Sequence, residues 1–386
     1  MLSRKKFIAQ SGMLAAGIAM RPSLAFANNF ETKRPPLAYR KFTSEAVEAT
    51  IVGMKKKITD PELAWLFENC FPNTLDTTVE FEMIESKPDT YVITGDIDAM
   101  WLRDSTAQVW PYLPFIKNDA KLRELIEGVI NRQKKCIILD PYANAFYKDV
   151  NKISEWKSDL TKMQPGIHER KWEIDSLCYP IRLAYRYWKT SGDIKVFDAD
   201  WKQCIKLTLQ TFKEQQRKHG DGPYSFQRTT AWATDGVPLA GYGYPVKPVG
   251  LICSTFRPSD DATLFSFLVP SNFFAVVSLK QSAEILNAVY KDAAMANECL
   301  SLAKEVEKAL QQYAIIHHQQ YGKIYAFEVN GFGSFNLMDD ANVPSLLSLP
   351  YLNAVKSNDP IYVNTRKYLL SANNMAAKHY HAWAYE

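Results

Sequence analysis

The sequence is poor in the features that announce most chemistries. Its six cysteines, Cys70, Cys136, Cys178, Cys204, Cys253 and Cys299, stand alone without a C-x-x-C pair, and its six histidines share no ligand spacing with them. No zinc site is therefore expected. A chain of 386 residues can bury a core without staples, so the cysteines read as single buried thiols. There is no G-x-S-x-G elbow, no Walker loop and no Rossmann fingerprint. Net charge is only +4, with basic residues spread along the chain, which gives no electrostatic footprint for nucleic acid. Beyond the first 27 residues no apolar run is long enough to cross a membrane, so no stable membrane insertion is expected once that leader is removed. Nor do strands and helices alternate as a doubly wound sheet requires.

What is present begins with an export signal. Arg4, Lys5 and Lys6 form a basic start, residues 12–20 a short apolar stretch, and Ala25-Phe26-Ala27 a cleavage site. Ser3-Arg4-Lys5-Lys6-Phe7-Ile8 resembles a twin-arginine signal with lysine at the second position, leaving the general secretory route open. The expectation is an exported protein, periplasmic or secreted, with residues 28–386 forming one domain.

Hydrophobic content of 47% supports a large core, and the 13% of aromatics can serve both as core and as platforms for sugar rings. Amphipathic segments at 45–60 and 61–71 are followed by extended pieces at 77–93. Helical periodicity then dominates: Leu122, Leu125, Ile126, Val129 and Ile130 after a cap at Asn118 or Asp119, then Leu177 to Trp188, Trp201 to Phe212 and Leu302 to Tyr313. A loop at 220–258 is long enough to suggest function.

The densest stretch is 94–110, with three carboxylates, Arg103, Trp101 and Trp110. Charges mixed with large apolar groups point to a partly enclosed polar site, although an Arg103–Asp104 ion pair at a helix cap would explain them too. Four segments share one layout: Asp104 before 105–113, Asp175 before 176–184, Asp260-Asp261 before 262–269, and Asp339-Asp340 before 341–349. Each reads as acid at the head of an apolar helix. Any one of them could be a simple cap. If the helices run parallel around an axis, as in a barrel of helical hairpins, the acids converge on one mouth. Convergent carboxylates and arginines without metal-ligand clusters suit glycoside hydrolysis, in which one carboxyl protonates the leaving oxygen and another activates water or attacks the sugar. Like-charge repulsion within Asp260-Asp261 would keep one acid protonated, while Arg103 and Arg257 would hold hydroxyls. A helical scaffold whose acids are only caps is the reading from another class.

These segments resemble glycoside hydrolase family 125, the exo-acting α-1,6-mannosidases. The resemblance rests on 94–113, on Trp172-Glu173-Ile174-Asp175-Ser176, on Phe256-Arg257-Pro258-Ser259-Asp260-Asp261-Ala262 and on Leu337-Met338-Asp339-Asp340-Ala341-Asn342. It implies an all-α (α/α)6 barrel and an inverting, metal-independent hydrolase with no cofactor. The implied substrates are α-1,6-linked mannosides of the N-glycan type. It also implies a general acid in the Asp260-Asp261 pair, with Asp261 preferred and Asp260 as a sugar-binding neighbour. Arg103, Asp104, Arg257, Asp339, Asp340, Asn342, Trp101 and Asp175 are implied to hold the terminal mannose. The family's general base lies on a late His-Glu motif, whereas this sequence leaves the pattern after Asn374 and continues as a divergent tail, 375–386. The expectation is a barrel short of its final helices, and either an active enzyme or a mannose-binding remnant without its base.

Overall fold

The computed structural model describes residues 30–372 and 374; the expected export signal and the divergent tail lie outside them. In chain order the elements are α1 (Glu45–Lys55), α2 (Pro61–Cys70), β1 (Val79–Ile84), β2 (Lys87–Val92), β3 (Met100–Trp101), α3 (Leu102–Val109) and α4 (Ala120–Leu139). Next come β4 (Ala145–Phe146), β5 (Ile167–Glu169), α5 (Ile174–Ser191), α6 (Ala199–Gln215), β6 (Phe267–Leu268), α7 (Val269–Ile285) and α8 (Ala293–Tyr313). The strands β7 (Ile315–His318), β8 (Gly322–Tyr325), β9 (Glu328–Val329) and β10 (Phe335–Asn336) precede α9 (Pro360–Leu369).

Caps set where the helices start. The side chains of Ser44, Asp60, Asp119, Asp198, Asp292 and Asp359 each accept backbone N–H groups at the heads of α1, α2, α4, α6, α8 and α9. Asp60 and Asp359 are each followed by proline, whose missing N–H costs nothing in a first turn. Of the two caps expected for α4, Asp119 is the one used.

The helices form two layers. α3, α5 and α7 pack on one another in succession, while α4 packs on α5 and α6, and α8 packs on α7. Burial follows the layering: α7 is buried along most of its length apart from Lys280 and Glu284, whereas α8 buries only the stripe containing Ala296, Cys299, Leu302, Val306 and Leu310. The outer helices are joined by surface ion pairs, Lys202–Asp292, Lys213–Glu298 and Lys218–Glu305. Five cysteines are buried as expected and Cys70 is exposed; all six are free thiols. No helix among the described residues is long and apolar enough to cross a membrane.

Helices carry the core, but the expectation of an all-α fold needs correcting: four small sheets are present. β1 and β2 form a hairpin in the 77–93 region, with Val79 opposite Val92. Two three-stranded sheets, β3-β4-β5 and β6-β9-β10, lie directly before helices of the inner layer. They are too short to show as a period-two pattern, and they aim the residues that follow them.

Two of the four expected acid-headed helices do not exist. Residues 262–266 are an isolated bridge followed by bends, and α7 begins only at Val269. Thr263 Oγ1 donates to the Ser254 carbonyl, and β6 pairs with β9, which keeps this segment out of a helix. Residues 341–349 form bends and turns. There Asp339 accepts from the backbone N–H groups of Leu346 and Leu347, at 2.7 and 3.0 Å, while Pro344 has no N–H to offer a helix. Asp104 and Asp175 do sit on helices, but inside the first turns of α3 and α5 and not ahead of them. α3 ends at Val109, giving way to a 3-10 turn at Trp110–Phe115 that contains Pro111 and Pro114.

Candidate active site

The site is built around one buried cation. Arg103 lies in the first turn of α3, directly after β3 fixes Trp101 opposite Ala145. Its Nη1 donates to Glu173 Oε2 at 2.7 Å and to Asp175 Oδ2 at 3.4 Å. Its Nε lies 3.5 Å from Asp104 Oδ2, and its Nη2 lies 3.8 Å from Asp260 Oδ1. Four carboxyl groups thus surround one guanidinium. Two of them, Glu173 and Asp175, have fully buried side chains, whereas those of Asp104 and Asp260 are 31% and 43% exposed. The cluster therefore has a closed floor and an open face.

Such a floor is expensive. Burial pushes the Glu173 carboxyl well above its ordinary range, opposed by Arg103 and reinforced by Asp175 and Asp260. Burial likewise lifts Asp175 to about 6, again opposed by Arg103. Asp260 is raised by burial too, with Arg103 pulling it down and Glu169 pushing it up. Burial alone would lower Arg103, but Glu173, Asp104, Asp175 and Asp260 together hold it firmly protonated.

Asp260 reaches the cluster from a strained turn. Its φ is +66°, a left-handed conformation that aspartate tolerates at some cost. The turn is fastened by Asp260 N–H to the Arg257 carbonyl (2.9 Å), Arg257 N–H to the Asp261 carbonyl (2.8 Å) and Lys171 Nζ to the Asp260 carbonyl (3.2 Å). Arg257 is anchored in turn: its Nε donates to buried Glu328 Oε1 at 2.7 Å, and Glu328 Oε2 accepts from Leu264 and Phe265 N–H. Strain held this firmly is a mark of functional positions.

A second charge cluster supports the turn. Lys171 Nζ reaches Asp235 at 2.6 Å and Glu169 at 3.4 Å. Burial would lower Lys171, but Glu169, Asp260 and Asp235 outweigh it and raise it. Arg228 closes the network against Asp159, Glu169 and Asp235 at 2.7, 3.0 and 3.2 Å, stacked 3.9 Å over Trp156. A cavity of about 510 Å³ opens beside this network, with Arg228, Thr234, Tyr244, Arg257, Ala262 and Leu264 in its wall. Neither this cavity nor those of about 580 and 610 Å³ elsewhere are lined by a member of the Arg103 cluster.

Of the residues expected from sequence, Arg103, Asp104, Asp175 and Asp260 come together. Trp101 is buried edge-on against His168 at 5.1 Å, its indole N–H without a partner. Asp261 meets none of the cluster's side chains in a recorded contact and enters through its backbone carbonyl. Asp339 is spent on backbone N–H groups, and burial lifts it to about 7. Asp340 Oδ1 accepts from Asn342, while its Oδ2 is buried without a partner. That loop reaches α5 through Tyr179 OH, which donates to the Val343 carbonyl at 2.7 Å. Among the described residues no group of three or more His, Cys, Asp or Glu side chains is arranged to hold a metal ion.

Glu169, Lys171 and Glu173 were missed as site residues, yet a signal existed. They alternate with Arg170 and Trp172, and residues two apart in extended backbone share a face. On the opposite face Arg170 pairs with Asp140 at 2.6 Å and Trp172 is fully buried.

With this geometry in view, three similarities are informative. The family model for metal-independent alpha-mannosidases (GH125) matches residues 60–382. The meiotically up-regulated gene 157 protein of Schizosaccharomyces pombe is 42% identical over 357 residues, covering 88% of this chain and 70% of its own length. A metal-independent alpha-mannosidase structure from Streptococcus pneumoniae, in a non-productive complex with alpha-1,6-mannobiose, is 40% identical. It covers 86% of this chain and 78% of that one, with a TM-score of 0.82. A buried arginine ringed by carboxylates is thus set in a shared fold and a sequence match over most of the chain, and the chain belongs to the metal-independent α-mannosidases of family GH125.

Proposed function

We propose that the protein is an inverting, exo-acting α-1,6-mannosidase that releases terminal mannose from glycans. The observation that carries this reading is the open face of the Arg103 cluster, where a part-exposed Asp260 stands over a fully buried charged floor. An acid for a glycosidic oxygen must be protonated near neutral pH, and burial together with Glu169 raises Asp260 in that direction against the pull of Arg103, Lys171 and the Glu173 hydrogen bond. We therefore assign the general acid to Asp260, and Asp261 to the backbone of its turn. Arg103 and Asp104 contact the terminal mannose, with Asp175 fixing Arg103 from below. Trp101, Arg257, Asp339, Asp340 and Asn342 shape the surroundings. The two helical layers fit an (α/α)6 barrel in a single domain. The linkage is supported by the alpha-1,6-mannobiose in the Streptococcus pneumoniae structure. Inversion needs a second carboxylate roughly 6.5–9.5 Å away across the sugar to activate water.

The test is proton NMR of the full chain acting on α-1,6-mannobiose. Release of mannose first seen as the β-anomer supports the proposal. First release of the α-anomer defeats inversion. A folded protein that is stabilised by mannose but releases none defeats the enzyme reading in favour of sugar binding. We also propose export through the leader at 1–27; mass spectrometry of protein from the producing cell should find a mature start at Asn28, and an intact Met1 would refute it.

A further inference from the structure

The Arg103 cluster has more buried acceptors than donors. Glu173 Oε2 is served twice, by Arg103 Nη1 at 2.7 Å and by Ser176 Oγ at 2.8 Å. Glu173 Oε1 is buried with no partner, and so is Asp260 Oδ1. The two carboxyl groups flank the same guanidinium and lie within hydrogen-bond reach of each other. Ionised carboxylates can only accept, so two of them facing each other repel and leave both oxygens unsatisfied. One proton between them removes both defects.

The charge count points the same way. Asp104, Glu173, Asp175 and Asp260 face one arginine. The next cation, Lys171, is already shared by Asp235 and Glu169. A buried cluster with this surplus of negative charge relieves it by binding a proton at its least solvated carboxyl. Glu173 and Asp175 both have no exposed side-chain surface, and of the two Glu173 is the one that faces Asp260.

We infer that Glu173 is a permanently protonated positioning residue whose Oε1–H donates to Asp260 Oδ1. This deepens the α-mannosidase reading and rests on its assignment of the acid to Asp260. In the reactive state Asp260 carries a second proton on Oδ2. That proton passes to the glycosidic oxygen as the bond from C1 to that oxygen breaks, and water supplies the new C1–O bond, giving its own proton to the second carboxylate that inversion requires and from there to solvent. Asp260 is left as a carboxylate held by the Glu173 O–H and by Arg103, and solvent returns its proton before the next cycle. The Glu173 proton does not leave. Its hydrogen bond strengthens as charge develops on Asp260, which is where a preorganised donor lowers a barrier.

Glutamine reproduces a protonated Glu173: its carbonyl accepts from Arg103 and Ser176, and its amide donates to Asp260. The full chain with Glu173→Gln should keep kcat on α-1,6-mannobiose within about tenfold of wild type. Glu173→Ala should lose about 100-fold in kcat with little change in KM. Equal impairment of the two variants would overturn the inference, because an ionised, charge-pairing Glu173 tolerates neither. An activity-independent readout accompanies them: the infrared difference between wild type and Glu173→Gln at neutral pH. A carboxylic C=O stretch present only in wild type supports a neutral Glu173, and its absence overturns the proposal. If the wild-type chain releases no mannose, the α-mannosidase reading fails on its own assay while the spectrum still decides the state of Glu173.

Discussion

Replacing Asp175 by asparagine exchanges a buried carboxyl for a neutral amide of nearly the same shape. Its Oδ2 faces Arg103, its Oδ1 is buried without a partner, and burial lifts the group from 3.8 to about 6. A value raised in the folded state means that protonation stabilises the fold. The contribution is complete below pH 3.8 and is lost as pH rises through about 6. At about 1.4 kcal/mol per tenfold change in acidity, the loss is about 3 kcal/mol, with no discount for solvent because the side chain is fully buried. Asparagine is neutral throughout and does not incur it. Urea denaturation of wild type and Asp175→Asn near pH 4 and near pH 7.5 should therefore show the variant gaining about 3 kcal/mol on wild type between the two conditions. Mannose release should fall as stability rises, the usual trade at a charged site. A variant equally destabilised at both pH values would refute the reasoning, because Asp175 would then bind its proton alike in the folded and unfolded chain.

Other positions give independent checks. Arg228→Ala leaves buried Asp159 without its cation and Glu169 and Asp235 with Lys171 alone, and should cost about 3–5 kcal/mol by denaturant titration. Gly128→Ala in α4 places a methyl group against Thr90 Oγ1 and 2.8 Å from the Thr90 backbone nitrogen on β2. The cost should be about 1–3 kcal/mol, seen as a lower Tm. A thiol reagent should label one cysteine, Cys70, in the native protein and all six after unfolding; rapid native labelling of a second thiol would contradict the packing of the inner layers.

The long amphipathic helices were legible in the sequence because a period of 3.6 persists over many residues and Asp or Ser caps mark their starts, as at Asp119 and Asp198. The hairpin at 79–92 was legible as extended chain. The short strands were not, since two-residue pairings such as Phe267–Leu268 with Glu328–Val329 have no period to read. The same difficulty explains the misplaced helix heads. The run after Asp261 is a series of bends leading into the short strand held by β9, and the run after Asp340 is a turn held by Asp339. Arg103, Asp104, Asp175 and Asp260 could be picked out by residue type, but their meeting depends on contacts across 72 and more residues of sequence. Glu173 was overlooked because its tie to Arg103 spans 70 residues of sequence. In the structure it makes no capping bond and turns its carboxyl to Arg103.

The central claim is that Asp260, beside Arg103 on the open face of the cluster, is the proton donor of an α-mannosidase. The most direct measurement is mannose release from α-1,6-mannobiose by wild type, Asp260→Asn and Asp261→Asn at equal concentrations of folded protein. The account predicts release by wild type, a loss of about 10³-fold or more in Asp260→Asn, and a rate within about tenfold of wild type in Asp261→Asn. An Asp260→Asn variant that turns over as fast as wild type, or a loss confined to Asp261→Asn, would contradict it.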